Sequence, residues 1–247
     1  MTAAVSAAQD HGFESPDFIR MTPTPIPWTY MDSFGYIRFK FGYIRRTQFI
    51  QPSNSERHVK LFNIEDTALI LIDHQVGTNT WASTTPLTLL QRNVIILAKF
   101  AKGTGMPVVL TSSQETNINV QGPLMPELQE FLPEAFAARI KRQGVVNAWD
   151  DQAFASACRA TGRKNFVMAG VTTDVCMVSP AISAVEEGFT VKVVCDACGS
   201  TNQIAEEMSW RRMESSGVLL TSTNAMVAEL VKNWASPAGA IAFPLLT

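Results

Sequence analysis

From about residue 65 onward, short strand-like runs, most of them apolar almost throughout, alternate with longer segments of helical apolar spacing. The runs are Thr67 to Ile72, Pro107 to Thr111, Ala138 to Arg142, Phe166 to Ala169, Thr190 to Cys195 and Val218 to Thr221. Between and after them lie Pro86 to Lys102, closed by Gly103, then Asp150 to Thr161, Val175 to Glu187, Gln203 to Ser215 and Ala225 to Trp234. A strand with one wet face alternates polar and apolar residues. Strands apolar throughout are covered on both faces, which is the situation of a parallel sheet with crossover helices. The spacing therefore predicts an α/β fold, a three-layer α/β/α sandwich around a mainly parallel, roughly six-stranded sheet. The regular pattern bounds a domain at residues 61–236. Residues 1–60 read as an N-terminal extension or arm, and 237–247 as a C-terminal tail.

The arm is punctuated by Pro16, Pro23, Pro25 and Pro27, and Phe34-Gly-Tyr-Ile-Arg38 recurs as Phe41-Gly-Tyr-Ile-Arg45. Basic residues interleave with aromatics there, a pattern that can bind RNA, although a solvated, partly docked arm is the simpler reading. Asp10, Glu14 and Asp17 are unlike a mitochondrial presequence. The net charge of −2 gives no electrostatic case for nucleic acid or an anionic membrane. No apolar run approaches the length of a membrane span. The four cysteines follow no secretory segment, so free thiols in a reducing, cytoplasmic compartment are expected, with organellar targeting by the arm left open.

In parallel sheets the site lies at the carboxyl ends of the strands. That rule selects Asp73, Thr111 to Glu115, Arg142, Val171 to Cys176 and Asp196. Cys176 opens a helix, where unpaired N–H groups and the helix dipole favour thiolate over thiol and predict a lowered pKa. A small buried hydrophobe is the alternative. Only three histidines occur, and His11 and His58 fall outside the expected domain, so the usual Cys–His pairing is poorly supplied. Asp73, a carboxylate closing an apolar strand, reads as either a turn cap or a general base. Side chains alternate along a strand, so Arg142 shares a face with Ile140 and points inward as a cation for Asp73, while Arg139 and Lys141 point the other way. Lys141 is the fallback. Cys195-Asp-Ala-Cys198 has redox spacing but no second pair for zinc.

Several segments together resemble the isochorismatase-like cysteine hydrolase family, in its YcaC-type branch. They are Leu71-Ile-Asp-His-Gln75, Thr111-Ser-Ser-Gln-Glu-Thr116, Gly122-Pro-Leu-Met-Pro-Glu127, Val146-Asn-Ala-Trp-Asp150, Gly170-Val-Thr-Thr-Asp-Val-Cys176, Ala184-Val-Glu-Glu-Gly188 and Ser209-Trp-Arg-Arg-Met213. They cover roughly residues 62 to 235. The resemblance implies a catalytic triad of Asp73, a basic residue and Cys176, in which Asp73 takes the thiol proton and Cys176 attacks a carbonyl. The basic position falls on Arg142, where most of the wider family has Lys. Arginine stays cationic, so it can orient Asp73 but cannot shuttle a proton.

The resemblance further implies a cis peptide at Val171–Thr172 that aims the Thr172 N–H, with the Cys176 N–H, at a developing oxyanion. It implies a pocket lined by Gln75, His74, Glu115 and Trp149, with specificity set by loops such as Asn117 to Gly122 and Trp81 to Thr85. It implies no metal, because the histidine cluster of nicotinamidase members is missing, no cofactor, and a homo-oligomer, a tetramer or octamer built from rings. The expected activity is hydrolysis of a small-molecule amide, imide or related C–N bond, with an ester as a further option. The competing expectation is a non-catalytic ring-forming protein that binds a small molecule or a partner.

Overall fold

The computed structural model describes residues 61–247. The expected arm, with its repeat, lies outside the described residues. Six parallel strands form one sheet in the order β3-β2-β1-β4-β5-β6. They are β1 (Thr67–Ile72), β2 (Val108–Ser113), β3 (Ile140–Arg142), β4 (Asn165–Gly170), β5 (Thr190–Val194) and β6 (Leu219–Thr221). Every residue of β1 and β4 is buried, and the two pair from Thr67 opposite Asn165 to Ile72 opposite Gly170.

The chain runs outward from β1 to β3 and then returns to lay β4 against the other side of β1. This reversal makes the crevice between the ends of β1 and β4 the topological switch point, where doubly wound sheets bind their ligands. Right-handed crossovers in opposite directions put their helices on opposite faces. On one face α1 (Leu87–Thr104) packs with α7 (Thr223–Val231) and α8 (Pro237–Leu246). On the other, α5 (Val178–Glu186) packs against β5 and α6 (Gln203–Ser215), and α4 (Gln152–Ala160) fills the crossover into β4. Asp151 caps α4 by accepting from the N–H groups of Ala153 and Phe154, and Asn202 caps α6 by accepting from Ala205.

Four elements differ from the sequence expectation. Gly103 does not stop α1. The helix runs to Thr104 and ends at Gly105 in the left-handed conformation, φ 71°. Gly103 instead faces Ile241 of α8, where a Cβ would lie 2.7 Å from the Ile241 side chain. Residues 237–246 are not a loose tail but helix α8, capped by Ser236 and docked on α1 and α7. Pro237 sits in its first turn, where a missing N–H costs nothing. Two short helices, α2 (Pro126–Phe131) and α3 (Pro133–Ala137), occupy a stretch for which the periodicity predicts no element.

Candidate active site

Asp73 leaves β1 with φ 57°, a left-handed conformation that Asp adopts more readily than most residues. Its N–H donates to Thr111 O of β2 at 3.0 Å, which fixes the turn over the sheet edge. Arg142 closes β3, two strands away, and its side chain crosses the end of β2 to reach Asp73. Nη2 donates to both Asp73 carboxylate oxygens, Nε donates to Thr111 Oγ1 at 3.1 Å, and Nη1 donates to Val145 O. Arg142 is 1% and Asp73 0% exposed, so the pair is fully withdrawn from water. Burial pushes the Asp73 carboxyl above its ordinary value, while the charge and hydrogen bonds of Arg142 and a hydrogen bond with Cys176 hold it down. The result is a carboxylate more basic than one on the surface yet tied to a permanent cation. Thr111, which the strand-end rule selects, and the Val145 carbonyl, which the sequence does not single out, complete the guanidinium's bonding. Thr111 shares the strand face of Ser113, opposite Arg142 in register, and that parity is the signal available.

Cys176 lies in a wide turn, Thr173–Met177, with π-type bonding between β4 and α5. It is 9% exposed and its thiol meets Asp73. Here the structure corrects the sequence expectation. Burial, then the charge and hydrogen bond of Asp73, push the thiol up from its usual value, and Arg142 only partly opposes this. These surroundings favour the thiol over a free thiolate beside the carboxylate. The oxyanion expectation is corrected as well. The Val171–Thr172 peptide is cis. The Thr172 N–H is directed at the Cys176 sulfur, and the Cys176 N–H donates to Thr172 O at 2.9 Å and is already engaged.

The four expected pocket residues do not reach this centre as free groups. Gln75 is buried, and its amide is fully used. Nε2 donates to Ser113 O at 2.9 Å and to Gly122 O, and Oε1 accepts from Ser113 N–H at 2.9 Å. It staples β1 to β2 and to the loop at 117–122. His74 is buried with Nε2 3.0 Å from Ala197 O, and burial pulls its pKa down to about 4. It is a neutral packing group. Glu115 turns to the opposite sheet face, where it pairs with Arg139 and Lys141, each at 2.9 Å, and accepts from Ser112. That pairing also takes Lys141 away from Asp73. Trp149 packs on Phe154, Phe166 and Phe189, and its Nε1–H donates to Glu187 at 2.8 Å. Glu187 closes α5, whereas Cys176 lies before its start, so roughly 16 Å of helical rise separates them.

Among the described residues, no group of three or more His, Cys, Asp or Glu side chains is placed to hold a metal ion. Cys195 and Cys198 are free, and Cys198 accepts the Gly170 N–H at 3.3 Å as part of the strand-end packing. No described helix is long and apolar enough to cross a membrane.

A sequence model of the isochorismatase domain matches residues 67–225. The Escherichia coli K12 protein called "Probable hydrolase YcaC" is 40% identical over 169 residues, which are 68% of this chain and 79% of that protein. YcaC from Pseudomonas aeruginosa, solved with hexane-2,5-diol and covalent acrylamide, superposes with a TM-score of 0.69 at 39% identity, covering 74% of this chain and 90% of its own. The Escherichia coli YcaC structure, described as an octameric hydrolase of unknown specificity, gives a TM-score of 0.70 at 39% identity, with coverages of 74% and 89%.

Proposed function

The chain belongs to the isochorismatase family, and from that premise we propose that it is a hydrolase of small-molecule amides, imides or related C–N bonds that works through a covalent bond to Cys176. One observation carries the reading. A fully buried carboxylate, Asp73, is clamped on one side by the Arg142 guanidinium and meets the Cys176 thiol on the other.

Because the thiol is held protonated, the nucleophile forms only as it attacks. Sulfur bonds to the substrate carbonyl carbon while the thiol proton passes to Asp73. The carbonyl oxygen becomes an anion and accepts from the Thr172 N–H, which in the resting site is directed at the sulfur. The C–N bond then breaks, and the leaving amine takes the proton from Asp73. The thioester that remains is opened by water, whose proton goes to Asp73, and the departing sulfur recovers it. Arg142 carries no proton at any stage. It keeps Asp73 aimed and balances its charge whenever the carboxyl is ionised.

The octamer described for the Escherichia coli relative supports a homo-oligomer here. Exposed Val76, Ile118 and Val120, carried on segments that pack together beside the site, supply apolar surface for such contacts. The test is turnover across a panel of amides, imides and esters by wild type, Cys176→Ala and Asp73→Asn, with acrylamide as a mass-spectrometric label. Both variants are expected to lose turnover, and Asp73→Asn to lose labelling at Cys176. Undiminished hydrolysis by Cys176→Ala would overturn the covalent reading. A wild type inert to the whole panel would favour the non-catalytic binding alternative.

A further inference from the structure

The turn that presents Cys176 bonds largely to itself. Thr172 O accepts from the N–H groups of Cys176 at 2.9 Å and Met177 at 3.3 Å, the Thr172 N–H is directed at the sulfur, and the Val178 N–H donates to Thr173 O. Its ties to the rest of the molecule meet at Thr173, which is buried. The Thr173 N–H donates to Gly199 O at 3.0 Å, in the segment after β5. The Thr173 hydroxyl donates to Glu206 Oε1 of α6 at 3.1 Å. Apart from the contact between Cys176 and Asp73, this is the one side-chain hydrogen bond among the described residues that joins residues 172–177 to another element.

Glu206 is an unusual residue for its place. The buried residues of α6 are Glu206, Ser209 and Met213, at the i, i+3, i+7 spacing where a surface helix ordinarily sets apolar side chains. Glu206 is only 4% exposed, whereas the neighbouring Glu207 is exposed. A carboxylate withdrawn from water is costly unless its bonds offset the loss, and the bond made here goes to the turn that carries the thiol. Its second oxygen, Oε2, and the Trp210 Nε1–H one helical turn on are both sealed from solvent and complement each other as acceptor and donor.

We propose that Glu206 is a positioning residue for the hydrolysis: through the Thr173 hydroxyl it fixes the turn so that the Cys176 sulfur stays in contact with Asp73. The inference rests on the reading of Asp73 as the base that takes the thiol proton. Without the hydroxyl, the N–H to Gly199 is left to hold Thr173 to its surroundings, and a wide turn has room to shift. A misplacement of about 1 Å can cost roughly 100-fold in rate.

The test is the rate at which acrylamide alkylates Cys176 in the full-length assembled protein, followed by mass spectrometry from pH 5 to 9. In wild type the rate should level off once Asp73 is ionised, because the carboxylate takes the proton as sulfur attacks. Thr173→Val, which keeps the shape and removes the hydroxyl, should replace that plateau by the profile of a detached thiol. Such a rate climbs about tenfold per pH unit up to the thiol's own pKa. Glu206→Met should do the same, Thr173→Ser should restore the plateau, and the double variant Thr173→Val with Glu206→Met should be no worse than either single change, since one bond is removed in each. For any substrate turned over, kcat should fall at least tenfold in Thr173→Val with KM little changed. A plateau that persists in Thr173→Val, or its loss in Thr173→Ser as well, overturns the proposal. Should Glu206→Met fail to fold, the two Thr173 variants decide it. A wild-type profile that itself climbs like a detached thiol's removes Asp73 as the base and this inference with it, whereas a wild-type plateau untouched by the variants removes the role of Glu206 alone.

Discussion

Replacing Arg142 by methionine keeps most of the side chain's volume and removes its charge. In the folded protein Arg142 gives two hydrogen bonds to Asp73, one to Thr111 and one to the Val145 carbonyl, all out of water. Removing one member of such a buried pair leaves an uncompensated charge and costs about 3–5 kcal/mol. The loss should depend on pH in a diagnostic way. Burial already raises the Asp73 carboxyl, and Arg142 is what restrains that rise. Without the guanidinium the folded-state value climbs further, so the folded variant holds a proton that the unfolded chain has released. Stability of the variant relative to wild type must then recover as pH falls through that window, by up to about 1.4 kcal/mol per pH unit for one proton. Urea melts of both proteins at pH 7, 6 and 5 measure it, and other groups that titrate in the range cancel in the difference. Asp73→Asn combined with Arg142→Met should be milder than the sum of the single changes, because neither charge is then left alone. A difference between Arg142→Met and wild type that stays constant from pH 7 to 5, or one below about 1 kcal/mol, would refute the buried-pair argument.

Lys141→Met should leave turnover within a few-fold of wild type, because its ammonium pairs with Glu115 on the opposite face; a loss approaching the ~100-fold or more expected of a missing acid–base group would return Lys141 to the triad. His74, held neutral by burial with a pKa of about 4 against 6.5 in the open chain, contributes stability that is complete above pH 6.5 and lost as pH falls toward 4, in all roughly 3 kcal/mol. Stability curves of His74→Gln should be flatter than wild type across that range, and equal slopes would show that His74 does not titrate this way.

Much of this arrangement was legible in the chain. Continuous apolar runs such as Leu69 to Ile72 located the strands, because burial on both faces leaves no polar alternation to disguise them. The parity of Ile140 and Arg142 pointed the guanidinium inward and sent Lys141 outward. Long-range packing hid the rest. Gly103 read as a helix stop, since sequence cannot show that Ile241 lies against it. Residues 237–246 read as a tail because they follow the end of the regular strand–helix alternation, although Pro237 and Ser236 are a helix start once the segment finds α1 and α7. Gln75 and His74 follow Asp73 directly and looked like pocket residues. Their partners, Ser113, Gly122 and Ala197, come from distant segments and hold them as structural ties. Glu115 was misread because the cations that hold it, Arg139 and Lys141, sit on the sheet face away from Asp73.

The inverted expectation for Cys176 bears most on mechanism. A helix start was expected to lower the thiol pKa, but the first turn here is wide, the Cys176 N–H is bonded to Thr172 O, and the side chain is nearly sealed. Desolvation therefore outweighs the dipole, and a standing thiolate beside the Asp73 carboxylate would place two anions in one buried site. Proton transfer coupled to attack removes that conflict, because the negative charge moves from Asp73 through sulfur to the substrate oxygen and never doubles. That route needs a base whose own pKa is raised and a counter-charge that cannot itself titrate. Arginine meets the second requirement better than lysine, whose pKa falls on burial. In the proposed mechanism, arginine at position 142, where the resemblance implies Lys, leaves all proton handling to Asp73. A single ionisation, that of the Asp73–Cys176 pair, should accordingly govern the acid limb of activity, and Arg142→Lys should add a second, alkaline limb in the pH–rate profile as the new amine loses its proton. An Arg142→Lys profile with the same shape as wild type would mean that the residue's charge state plays no part.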